Sequence, residues 1–95
     1  MNVLEVKKTT DFPKAVFDVK VKAETETSHT VTLEQDYFMK LTGGKTIPEV
    51  LIHKVFNYLL ENEPNTSILP NFNVSDVPKY FPEFESKMKY SLIIF

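Results

Sequence analysis

The chain has no cysteine, no arginine and only two glycines among its 95 residues. Each absence excludes something. Without cysteine there is no disulfide, no thiolate nucleophile and no cysteine-based zinc site, and a cytoplasmic home is the simpler expectation. All eleven basic residues are lysine. Lacking the planar guanidinium that forks onto phosphate or guanine, and with a net charge of −2, the chain is a poor match for nucleic acid. No apolar run approaches the ~20 residues that cross a bilayer, and the opening MNVLEVKKTTDF lacks the basic-then-apolar order of a secretory signal. Neither membrane insertion nor export is expected. A chain of this length, 42% hydrophobic and 25% charged, fits one globular domain over residues 1–95 with a thin core, which oligomerisation would reinforce.

What is present is organised around Thr46 to Glu61, TIPEVLIHKVFNYLLE. Leu51, Ile52, Val55, Phe56, Leu59 and Leu60 recur at steps of three and four, which lays a broad apolar stripe along one helix face. Glu49, His53, Asn57 and Glu61 fall opposite. Thr46 and Glu49 have capping-box spacing, Pro48 is tolerated in the first turn, and Pro64 closes the element. The spacing predicts a central helix over about 48–61.

Upstream, Phe17, Val19, Val21 and Ala23 alternate with Asp18, Lys20, Lys22 and Glu24, the period of a strand with one buried face. Val31 and Leu33 alternate with Thr30 and Thr32, so the two runs predict a β-hairpin around a polar turn at 24–28. Residues 1–14, with Val3, Leu4, Val6 and Pro13, read as an arm or a short edge strand. Thr32 and Gln35 repeat the capping-box spacing before Tyr37, Phe38 and Leu41, a short helix that Gly43 and Gly44 end in left-handed conformation. Downstream, NTSILPNFNVSD reads as a connecting loop with at most a helical turn, capped by Asn73 or Ser75. A last helix is predicted from Pro82, with Phe81, Phe84 and Met88 on one face. The closing SLIIF is apolar and β-branched, and is expected to dock as a strand or against a partner.

Groups that could carry chemistry are scattered. Gly44-Lys45-Thr46 copies the end of a phosphate-binding loop, but Met39 stands where its first glycine belongs and a helix precedes it, so a plain turn is the reading. His53 sits one turn after Glu49 with no third ligand nearby, and His29 is isolated at a strand start. The carboxylates Glu61, Glu63, Glu83 and Glu85 read as solvated helix ends. Ser28, Ser67, Ser75, Ser86 and Ser91 lie in no nucleophile motif. No catalytic, metal-binding or cofactor-binding residue is therefore predicted. Partner contacts fall to Tyr80, Phe81 and Phe84, with Tyr90, Leu92, Ile93, Ile94 and Phe95 at the end of the chain, because large apolar side chains dominate interfaces.

Two resemblances bear on this reading. The run HTVTLEQDYFMKLTGGKTIPEVLIHKVFNYLLE, His29 to Glu61, resembles the strand, short helix, glycine turn and long helix of the ribbon-helix-helix DNA-binding proteins. In that family the strand pairs with its twin from a second subunit and its outward residues enter the major groove; the resemblance implies Ser28, Thr30 and Thr32 as DNA-facing. None of the three is Arg, Lys, Gln or Asn, and the strand at 15–25 competes for the same pairing. Over more of the chain, HTVTL, LTGG, Pro48-Glu49, FNYLLENEPNTSIL and YFPEFE are similar to a small bacterial protein family with no assigned activity.

The expected protein is thus an α+β domain, a β-hairpin extended by a terminal strand and packed on two or three helices. Its expected role is non-catalytic binding, as a homodimer or with another protein, and a ribbon-helix-helix-like DNA-binding regulator is the alternative.

Overall fold

The computed structural model describes residues 3–93, with the side chain of Ile93 left out. Its sheet forms around β2 (Lys14–Lys22), whose Ala15, Phe17, Val19 and Val21 are fully buried while Lys14, Asp18, Lys20 and Lys22 face water. Period-two patterning has this consequence because successive side chains point to opposite faces. β3 (Thr27–Glu34) pairs antiparallel with β2 and sends His29, Val31 and Leu33 to the same buried face. On the other side, β1 (Val3–Thr10) pairs with β2 along most of its length. Within the stretch expected as an arm or edge strand, Val3–Thr10 thus forms an edge strand, and Leu4 and Val6 pack against the core. Its exposed Lys7 and the register shift between Lys8 and Thr10 blunt the open edge against further pairing.

After β3 come α1 (Gln35–Thr42) and α2 (Pro48–Asn62), then a 3-10 turn at Asn65–Ser67 and β4 (Asn71–Asn73). β4 lies parallel to β3, an arrangement that requires a crossover, and the two helices supply it. A second 3-10 turn at Val74–Asp76 leads into α3 (Val77–Tyr80) and α4 (Phe84–Ile93). The fold is α+β: four strands in the order β1-β2-β3-β4, with the helices on one face. Leu51, Ile52, Val55, Phe56 and Leu59 of α2 are buried against the sheet, so the predicted stripe is the centre of the core.

Three local expectations are corrected. Thr46 and Glu49 form no capping box: α2 is capped by Ile47, which makes no side-chain capping bond, and the Ile47 carbonyl accepts from Val50 and Leu51. Thr32 does not cap α1 either, because β3 continues to Glu34 and the cap falls there. Serine 91 to Ile93 belong to α4 rather than to a strand. The helical step from Phe84 to Met88, both buried, to half-buried Leu92 outweighs the β-branched composition. Ile94 and Phe95 lie outside the described residues. The terminal strand that extends the hairpin is the N-terminal one.

Candidate functional site: an apolar groove at the end of the central helix

The last turn of α2 directs Leu59 into the core and leaves Glu63 as its C-terminal cap, where the Glu63 N–H donates to the Leu59 carbonyl. Pro64 cannot continue the helix. The chain reverses through the 3-10 turn, held by Ser67 N–H to Pro64 O and Ile68 N–H to Asn65 O. Ile68 turns inward and Leu69 outward, the latter 52% exposed. Phe72 of β4 follows, half-buried, its ring 5.9 Å from that of Phe56. The Asn73 side chain accepts from Ser75 N–H and starts the turn toward α3. There Val77 is buried, Tyr80 is 70% exposed and Phe81 sets its ring edge-on to Tyr58 at 5.9 Å.

These segments enclose a groove of about 270 Å³. Its buried members, Leu59, Ile68 and Val77, make the floor; Phe72 and Phe81 form the sides, and Leu69 and Tyr80 stand at the mouth. Glu63, Ser67 and Asp76 complete the lining. No lysine lines it. Asp76 is paired with Lys79 at 2.9 Å, whereas among the described residues no cation lies within ion-pair distance of Glu63. Burial raises the Glu63 carboxyl above its ordinary value, since a partly desolvated carboxylate without a counter-ion disfavours its charged form. No basic residue stands in the last turn of α2, so the negative end of the helix dipole adds to the charge of Glu61 and Glu63.

The groove wall is tied to the sheet by a buried polar chain. His29 is 3% exposed, with Nδ1 at 2.8 Å from the Leu69 carbonyl and Nε2 at 2.8 Å from the Thr27 hydroxyl. A carbonyl only accepts, so Nδ1 carries the proton, and the Thr27 hydroxyl bonds Nε2. The Asn65 amide donates to Thr27 Oγ1 at 2.9 Å and to the Thr25 carbonyl at 2.7 Å. Among the described residues no buried side-chain nitrogen or oxygen lacks a hydrogen-bond partner. His29 is therefore not the isolated residue of the sequence reading; it fixes the carbonyl beside the exposed Leu69 side chain.

A second, larger cleft of about 490 Å³ lies between α2 and α4, lined by Lys54, Asn57, Glu61, Glu83, Lys87 and Ser91 among others. One of its polar contacts is made inside the chain: Lys54 Nζ donates to Ser91 Oγ at 2.9 Å. Volume favours this cleft, but burial of apolar surface drives association and apolar lining marks binding sites. The smaller groove is the better candidate on that ground.

The sequence-predicted residues are dispersed. Tyr80 and Phe81 line the groove, but Phe84 is fully buried and serves the core. Tyr90 is 64% exposed and Leu92 half-buried on α4. The Ile93 side chain, Ile94 and Phe95 lie outside the described residues. Ser28, Thr30 and Thr32 do point outward from the sheet, yet β3 is an interior strand, with β2 on one side and β4 against Thr30 to Thr32 on the other. That leaves no free β3 edge there for a twin strand. Gly44-Lys45-Thr46 lies in the turn between α1 and α2, and His53 is exposed. Among the described residues no three His, Cys, Asp or Glu side chains gather as a metal set, and no helix is long and apolar enough to cross a membrane.

No known protein family, characterised protein or solved structure matches this chain.

Proposed function

We propose that the chain is a small non-catalytic binding protein that holds apolar side chains of a protein partner in the groove between α2, β4 and α3. The observation that carries this reading is the mouth of the groove. Leu69 and Tyr80, two large side chains in water, flank an apolar floor, and a partner side chain entering there would cover both at once. Each large apolar group so covered contributes on the order of 1.5 to 3 kcal/mol. The test is a titration of the neutral peptide acetyl-Gln-Phe-Leu-amide into isotopically labelled protein at millimolar concentration. Shifts concentrated at Ile68, Leu69, Phe72, Val77 and Phe81 are expected; no shifts, or shifts confined to the open sheet face, contradict the reading.

A homodimer through α4 is the second reading, favoured by Tyr90, which stands 64% exposed there. Light scattering decides it. A monomer at micromolar concentration ends the dimer proposal.

A further inference from the structure

We propose that the groove selects a basic partner: a short segment in which a lysine or arginine adjoins the large apolar side chain, its cation meeting the carboxylate of Glu63. This rests on the groove being a binding site and adds the charge of what it binds.

Three observations converge on a cation. First, the lining contains two carboxylates, Glu63 and Asp76, and no basic side chain. Second, the two differ in their partners: Asp76 is held by Lys79 at 2.9 Å, while among the described residues Glu63 has no cation in reach. The open charge is Glu63. Third, Glu63 caps α2 at its C-terminal end, where the helix places unsatisfied carbonyls and negative partial charge, and the last turn supplies no lysine to offset them. A ligand cation there faces both the carboxylate and the dipole. An anionic ligand meets repulsion from each.

Aromatic placement favours the same chemistry. Phe72, Tyr80 and Phe81 line the groove that Glu63 borders, and the face of an aromatic ring attracts an ammonium or guanidinium. Long basic side chains also lay an apolar stem against such surface while their charged head stays at the rim. The occupant is therefore amphipathic, apolar where it meets Ile68 and Val77 and cationic where it meets Glu63.

The experiment compares three acetylated, amidated peptides, Lys-Phe-Leu, Gln-Phe-Leu and Glu-Phe-Leu, by titration against the intact chain and against Glu63→Gln and Glu63→Lys. The expected order is lysine tighter than glutamine, and glutamine tighter than glutamate, with about fivefold per step, the upper range for a partly exposed ion pair. Glu63→Gln should flatten the order and Glu63→Lys reverse it. If all three peptides bind the intact chain equally, charge selection is overturned while the groove stands as a binding site. A preference that survives Glu63→Gln also overturns it, since the selectivity then comes from the net charge of the chain. If none binds, groove and selection fail together. The Glu63 side chain makes no hydrogen bond among the described contacts, so both variants should fold, and a thermal melt of each checks that.

Discussion

Tyr37 on α1 donates its hydroxyl to Glu85 Oε2 on α4 at 2.8 Å, joining two residues that are 48 apart in sequence. Lys40 reinforces the pair, reaching the same oxygen at 3.4 Å and standing 5.7 Å from the centre of the Tyr37 ring. Burial, then the bond to Glu85, raises the Tyr37 phenol above its ordinary value of 10.0. The bond from Tyr37 is the main cause that holds the Glu85 carboxyl below its ordinary 4.5.

The two shifts give opposite pH limits. A phenol with a raised folded value contributes stability that is present below about pH 10 and is lost as pH rises beyond it. A carboxyl with a depressed folded value contributes stability that is present above its ordinary value and is lost as pH falls through the folded one. Tyr37→Phe should therefore cost about 1 kcal/mol at neutral pH, the net worth of one hydrogen bond, and weaken both limits. Melting temperature against pH for the two proteins reads this out, and parallel curves would refute the link.

Phe56 is the largest of the stripe residues on α2, fully buried between the His29 ring at 5.5 Å and the Phe72 ring at 5.9 Å. Phe56→Ala should cost roughly 3 to 5 kcal/mol, enough to unfold so small a domain. A denaturant melt with an unchanged midpoint would remove α2 from the centre of the core.

Gly43 and Gly44 close α1 with φ of 63° and 76°, a region that side chains strain to enter. A Cβ at Gly43 meets open space, whereas one at Gly44 would sit 3.2 Å from the Met39 methyl. Gly43→Ala should cost about 1 kcal/mol from backbone strain alone. Gly44→Ala should cost more unless the flexible Met39 side chain gives way. Equal stability of both variants and the parent in urea would contradict the turn geometry.

Asn65 supplies two of the hydrogen bonds that complete the chain from Thr25 to His29 and Leu69. Asn65→Ala leaves the Thr25 carbonyl and the Thr27 hydroxyl short of a donor, at about 1 to 3 kcal/mol. Faster amide exchange should appear at Thr30, whose N–H bonds Pro70 O where the same loop meets the sheet. Unchanged exchange there would separate the polar chain from the groove wall.

The sequence made the hairpin and central helix legible because both are long enough to repeat their period. It hid β4, in which Phe72 is the single apolar residue of three and pairing with β3 alone makes the strand. Without β4, no pattern brings Leu69 and Phe72 to the end of α2. Tyr80 and Phe81 could be picked out as aromatics, but the same criterion picked Phe84, which the helical period turns into the core. Glu63 read as one solvated carboxylate among several; its place in the groove depends on the fold. The N-caps of α1 and α2 failed by a residue or more, since Thr46 stands one step before Ile47 and β3 overruns Thr32, whereas Gly43 ends α1 and Asn73 caps its turn as expected.

A partner held between Leu69 and Tyr80 should lose its grip on the double variant Leu69→Ser, Tyr80→Ser. Both side chains are mostly in water, so their loss should leave the melting temperature close to that of the parent. Titration with acetyl-Lys-Phe-Leu-amide should then show binding weakened about tenfold or more, as expected when two large apolar contacts are removed. Undiminished affinity in a folded double variant would contradict the account.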